Sequence, residues 1–100
     1  MPKINCMASI QSLPSTELVR IVEKVIDYIK STGLNYYVGT FDTSIEGEFE
    51  QVMAVIKECQ LLCIREGAPQ VATHIKLLYS PEEPIMTIDE KITKYNEVKK

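Results

Sequence analysis

The chain is predicted to adopt an α+β, ferredoxin-like βαββαβ sandwich: a four-stranded antiparallel sheet, two helices on one face, and a short C-terminal helix. Two observations carry this. Two long segments with helical apolar spacing each end at a glycine, and short alternating or β-branched segments flank and separate them. A third concerns topology: right-handed crossovers in each βαβ half place the first and third strands at the centre of the sheet.

The elements follow in order. Residues 4–13 alternate as a first strand, with Ile4, Cys6, Ala8 and Ile10 on one face and Asn5, Met7, Ser9 and Gln11 on the other. The second set is too polar for a core, yet it contains a methionine that water disfavours. Pro14 ends the strand, and Ser15 or Thr16 is expected to cap the first helix over residues 17–32. Its apolar stripe is Leu18, Val22, Val25, Ile26 and Ile29, and Gly33 supplies a left-handed stop.

Residues 35–40 are aromatic and β-branched, so they read as a second strand. A tight connection through Phe41 and Asp42 leads into a third strand, which opens the stretch 43–49. Within that stretch Thr43 and Ile45 share one face while Ser44 and Glu46 share the other, so the register decides which pair meets a ligand. Gly47 permits a tight turn or close approach before a second helix over residues 48–66. That helix has the apolar set Phe49, Val52, Met53, Ile56, Cys59, Leu62 and Cys63, acidic residues in its first turn, and Gly67 as its stop.

After Pro69 a fourth strand alternates from Val71 and ends near Tyr79, before Pro81. Thr87 and Glu90 have capping-box spacing, which predicts a last helix over residues 87–95 with fraying beyond it. With both long helices on one side, the other sheet face is expected to be bare. Met7 and Leu78 would then be exposed, and such apolar patches signal an interface. A homo-oligomer, dimer or tetramer, is expected.

Composition narrows the function. A chain of 100 residues fits one domain, and 45% hydrophobic with 25% charged residues is ordinary for a globular protein. A formal charge of -3 leaves no electrostatic footprint for nucleic acid. There is no signal-peptide pattern and no apolar run long enough to span a bilayer, so a cytoplasmic location is expected. Three cysteines without CxxC spacing fit a reducing compartment. Cys59 and Cys63 are four apart on the apolar stripe and read as small buried hydrophobes rather than metal ligands.

Catalytic signatures are absent: there is no phosphate-binding glycine loop, no HExxH, and one histidine, His74, which reads as a packing or hydrogen-bonding residue. The chain is not read as an enzyme, and no metal or cofactor is expected. Polar residues on strands are the better signal, namely Ser9 and Gln11, then Thr43, Ser44 and Glu46, then His74 and Lys76. Convergent polar groups beside apolar walls are what small-molecule sites use.

The blocks Met7-Ala8-Ser9-Ile10-Gln11-Ser12-Leu13-Pro14, Ser31-Thr32-Gly33-Leu34-Asn35-Tyr36, Thr43-Ser44-Ile45-Glu46-Gly47-Glu48-Phe49, Gly67-Ala68 and Val71-Ala72-Thr73-His74-Ile75-Lys76 resemble the small thiamine-binding proteins of the YkoF-like superfamily. The last helical segment, with Glu90-Lys91, is also similar, so the resemblance spans nearly the whole chain. It implies a ferredoxin-like subunit, dimers built through sheets and commonly a dimer of dimers. It also implies non-enzymatic binding of thiamine or its hydroxymethylpyrimidine portion, at or near a subunit interface.

Carried across, the resemblance points to Ser9, Gln11, Thr43, Glu46 and Lys76. Ser9, Gln11 and Thr43 would match the donors and acceptors of an aminopyrimidine, and Glu46 would accept from its amino group or favour the thiazolium charge. Tyr36 or Tyr37, with Tyr37 the candidate retained, would stack on a ring. Lys76 suits a phosphate or an ion pair with Glu46. The alternative is a regulatory or protein-interaction domain that uses the open sheet face without a small ligand, since this fold serves many functions.

Overall fold

The computed structural model describes residues 4–96. In chain order the elements are β1 (Cys6–Pro14), α1 (Leu18–Ser31), β2 (Asn35–Val38), β3 (Thr43–Gly47), α2 (Phe49–Arg65), β4 (Val71–Tyr79) and α3 (Ile88–Asn96). The sheet order is β2-β3-β1-β4, and every neighbouring pair is antiparallel. The first and third strands are central, as the crossover rule requires. Helix α3 includes Asn96, where fraying was expected to begin; the rest of that expectation, residues 97–100, falls outside the described residues.

The first strand follows its alternation closely: Cys6, Ala8, Ile10, Ser12 and Pro14 are buried, and the residues between them are half-buried. Its buried row meets Ile45 from β3, Ile21, Val25 and Ile29 from α1, and Val52, Val55, Ile56, Cys59 and Cys63 from α2. The buried stripe of α1 is rotated from the expected one. Ile21 is fully enclosed, whereas Leu18 is half exposed. In α2, Val55 is buried and Met53 is exposed. Periodicity shows that a helix has an apolar side, but the neighbouring layer chooses which apolar residues lie at its centre.

Helix α1 is not capped by Ser15 or Thr16. The cap position is Glu17, in the left-handed region with φ 48°, and it makes no side-chain cap bond. Ser15 is drawn elsewhere: its N–H donates to the Gln70 carbonyl at 3.0 Å, and its hydroxyl accepts from the Gln70 N–H at 3.3 Å. This prolongs the β1–β4 ladder by one residue. Arg20 then joins the two long helices, donating to Glu17 Oε1 at 2.9 Å, Glu66 Oε1 at 2.9 Å and the Glu66 carbonyl at 2.8 Å. Its guanidinium, by hydrogen bond and charge, holds the Glu17 carboxyl below the usual carboxylate range.

Gly33 (φ 81°) and Gly67 (φ 112°) end α1 and α2 in conformations that side-chain-bearing residues rarely adopt. Strand β2 is shorter than expected, stopping at Val38, and β3 stops at Gly47. At that joint a Cβ on Gly47 would stand 3.1 Å from Leu34 Cδ2 and 3.4 Å from Gln51 Oε1, so close approach explains the glycine. The Asn5 side chain accepts the Phe49 N–H at 3.1 Å and satisfies one first-turn amide of α2.

One expectation needs correction: the sheet face opposite α1 and α2 is not bare. Helix α3 packs on β2 and β3 there, with Ile88 buried. Its capping box is as expected, the Thr87 N–H donating to Glu90 Oε1 at 2.8 Å and the Glu90 N–H to Thr87 Oγ1 at 3.1 Å. What stays open on that face lies over β1 and the edge strand β4, where Leu78 is half exposed. No helix among the described residues is long and apolar enough to cross a membrane.

Candidate functional site

Unequal strand lengths create the main cavity. The β1–β4 ladder runs from Cys6↔Tyr79 to Pro14↔Val71, but β3 accompanies β1 only from Cys6↔Gly47 to Ile10↔Thr43. Past Ile10, β1 has no neighbour on its β3 side. Helix α1 roofs the gap and residues 39–42 close its end. The loop is tightened by the Gly39 N–H donating to the Asp42 carbonyl at 2.7 Å.

The cleft, open to solvent on one side, has a volume of about 350 Å³, within the range of small-molecule sites. Its walls are largely apolar, supplied by Val22 and Ile26 of α1, the exposed Leu18 and Val19 at one end, and Phe41 from the loop. The outer half of the α1 stripe, which is not needed in the core, therefore has this cavity to line.

Six polar side chains are among the lining residues: Gln11, Ser12, Glu23, Thr40, Asp42 and Thr43. Ser12 and Thr43 are each 8% exposed, and both lie on the helix-facing side of the sheet. The Ser12 hydroxyl has no hydrogen-bond partner among the described residues. A buried hydroxyl left unpaired costs about 1–3 kcal/mol, so a native protein that keeps one calls for an explanation. A ligand group arriving in the cavity would remove that cost. Gln11 lies at the free β1 edge and contributes to the rim.

The register separates the candidate residues. Tyr37, Ser44, Ser9 and Lys76 stand directly opposite one another, forming one row across all four strands on the α3 side of the sheet. The next row is Asn35, Glu46, Met7 and Leu78, and Gln11 faces His74 beyond the first. Thr43 is on the opposite face. The structure thus brings Ser9, Tyr37 and Lys76 together on one face and Thr43 with Ser12 on the other; Gln11, on the same face as Ser9, meets the cleft only at the unpaired edge of β1. A smaller pocket of about 190 Å³ over the first row includes Met7, Ser9, Ser44, Lys76, Leu78 and Lys91. The Ser9 hydroxyl is already engaged, donating to the Asp42 carboxylate.

Glu46 is 3% exposed, and both its oxygens are occupied. Oε2 accepts from Asn35 Nδ2 at 2.9 Å and Oε1 from the Ile88 N–H at 2.7 Å. The suggested ion pair between Glu46 and Lys76 does not form, because both carboxylate oxygens face β2 and α3. The thiols of Cys59 and Cys63 are buried within the core, and burial pushes Cys59 up to about 12. Among the described residues no group of His, Cys, Asp and Glu is arranged to hold a metal ion.

Sequence reasoning did not single out Ser12. Its signal was present: alternation puts it on the same face as Cys6, Ala8 and Ile10, a core position with a hydroxyl. In the sequence Phe41 and Asp42 read only as a connection, and their part in the cleft depends on where that loop folds back.

Comparison with known proteins agrees with this architecture. Residues 6–96 match the family described as thiamine-binding protein. A UPF0045 protein of Clostridium perfringens is 41% identical over 93 residues, covering 90% of this chain and 96% of the relative. A domain of unknown function, DUF77, from Bacillus cereus superposes with a TM-score of 0.85 at 33% identity, covering 97% of this chain and 94% of that one. A Thermotoga maritima structure, described as a candidate thiamine biosynthesis/salvage protein, gives a TM-score of 0.79 at 32% identity, with 91% and 98% covered.

Proposed function

We propose, from the premise that this chain belongs to the thiamine-binding protein family, that it binds thiamine or its hydroxymethylpyrimidine portion without chemically converting it. The proposed site is the cavity between α1, the unpaired end of β1 and the 39–42 loop. The observation that carries this reading is the unpartnered, buried Ser12 hydroxyl in the cavity wall.

An aminopyrimidine presents ring nitrogens that accept hydrogen bonds and an amino group that donates them. Ser12 and Thr43 hydroxyls can do either, and Gln11 offers both an amide oxygen and an amide nitrogen at the rim. Val22 and Ile26 supply apolar wall beside those hydroxyls, which lie in the buried part of the cleft. Of the residues that the family resemblance suggested, Gln11 and Thr43 belong to this site. Ser9, Tyr37 and Lys76 belong to the open face, and Glu46 anchors α3.

Calorimetry with thiamine and with hydroxymethylpyrimidine tests the reading. Saturable heat is expected for both, with affinity about tenfold lower in Ser12→Ala, the loss of one hydrogen bond in a dry site. No heat from either ligand at millimolar concentration would sink it. The same reading includes self-association through the open part of the sheet, where Leu78, Tyr79 and Tyr37 are half exposed and the β4 edge is unpaired among the described residues.

A further inference from the structure

Phe41 lines the cleft, yet it is 82% exposed, more than any other large apolar side chain among the described residues. A single exposed phenylalanine is ordinary on a protein surface. This one stands where the cleft opens to solvent, with the exposed Val19 and Val38 lining the same space. The free protein therefore keeps apolar surface in water beside a cleft with room for a ring.

The backbone that carries Phe41 is held on both sides of it. The Gly39 N–H donates to the Asp42 carbonyl at 2.7 Å, which closes residues 39–42 into a tight turn. Gly39 makes that approach possible: a Cβ there would stand 3.1 Å from the carbonyl oxygen and 3.3 Å from Asp42 Oδ1. Asp42 is also fixed from the other direction. Its Oδ2 accepts the Ser9 hydroxyl on the α3 side of the sheet, the one side-chain hydrogen bond that the turn makes among the described residues. Successive side chains point to opposite faces, so holding Asp42 on one face sets where Phe41 stands on the other.

We infer that Phe41 folds over the ligand ring in the cleft, and that Ser9 and Asp42 are positioning residues that present it from the opposite face of the sheet. This rests on the reading of the cleft as the ligand site. With the backbone already fixed, only the two side-chain torsions of Phe41 are ordered on binding, so little of the gain from covering the ring is lost to ordering the loop. Offset stacking of the two rings adds to the apolar contact. Ser9 thereby serves the cleft without touching the ligand: the register puts it on the other face from Ser12 and Thr43, and Asp42 connects the two faces.

The test is calorimetry with thiamine on a double-mutant cycle of Phe41→Ala and Ser9→Ala, joined to the emission of Phe41→Trp, which carries the chain's one tryptophan. Phe41→Ala removes an exposed side chain, so it should leave the urea midpoint unchanged and weaken thiamine binding about tenfold. Ser9→Ala should weaken binding about threefold or more with Phe41 present and leave it unchanged in Phe41→Ala, because its effect passes through that ring. In Phe41→Trp, thiamine should move the emission to shorter wavelength, and adding Ser9→Ala should diminish the shift. Undiminished affinity in Phe41→Ala overturns the covering role while the ligand site stands. A Ser9→Ala variant that binds as the parent does, or that loses as much in the Phe41→Ala background, overturns the positioning role. Absence of heat from thiamine with the parent protein overturns the site and the inference together.

Discussion

Glu46 Oε1 accepts the backbone N–H of Ile88 at 2.7 Å, joining β3 to the first residue of α3 across 42 positions of sequence. The amide it satisfies is one of the first-turn donors that a helix cannot pair internally. The other oxygen holds Asn35 of β2. One buried carboxylate therefore fastens the C-terminal helix to two strands, and Thr87 and Glu90 complete the same helix end.

Replacing that carboxylate should loosen α3 rather than the ligand. Glu46→Gln loses charge assistance and presents an amide N–H₂ to a donor, so a loss of about 1–3 kcal/mol in urea unfolding is expected. Amide exchange at Ile88 should accelerate, with thiamine affinity changed by less than about twofold. A large drop in affinity with stability intact would instead make Glu46 a ligand contact.

Ser12→Ala removes a hydroxyl whose hydrogen-bonding capacity the free protein does not use. The unliganded protein should be no less stable, and more stable by up to about 1 kcal/mol, even as it binds ligand more weakly. Paired urea titrations with and without thiamine read both effects. A clear loss of stability in the unliganded variant would show that the hydroxyl has a structural partner.

At Gly47 a side chain would press on Leu34, whose Cδ2 stands 3.1 Å from the position of a Cβ and must shift to admit it. Gly47→Val should cost about 1–3 kcal/mol through overpacking at the β3–α2 joint. A stability equal to that of the parent protein would mean that Leu34 moves aside freely.

Cys59 gives the fold a pH dependence in the alkaline range. Burial first, then the nearby Cys63 and Glu58, raise its thiol from an ordinary 9.0 to about 12. Above about pH 9 the unfolded chain releases the proton and the folded chain retains it. The stability contribution is therefore complete below that pH and is lost as pH rises toward 12. The urea midpoint should fall between pH 8 and about 10.5, and Cys59→Ala should flatten the decline. An identical slope in that variant would place the dependence elsewhere.

Self-association is the prediction with the simplest readout. The native mass should be a multiple of the 11.4 kDa chain, and Leu78→Glu, which puts a charge on the open face, should shift it toward the monomer. A monomeric parent protein at micromolar concentration would remove the interface.

Much of this was readable because it depends on neighbours in sequence. The glycine stops at positions 33 and 67, the fourth strand and the Thr87–Glu90 box are all short-range arrangements, and they occur where the residues predict. The centre of each helical stripe was less readable. Ile21 and Val55 take the core positions that Leu18 and Met53 were expected to share, since only the packed sheet shows which side of an apolar arc it covers. The cap of α1 was misread because Ser15 bonds to Gln70, a residue that sequence proximity does not reveal.

The sequence by itself determined the order of elements, their helical and strand periods, and the opposition of Thr43 to Glu46 across a single strand. Only the tertiary structure decided which face each of those two received, and that Ser9, Tyr37 and Lys76 align in a row away from Ser12 and Thr43. It also decided that β1 outruns β3, and the cavity exists for that reason. Strand register and length mismatch arise from pairing between distant segments, which no local pattern encodes.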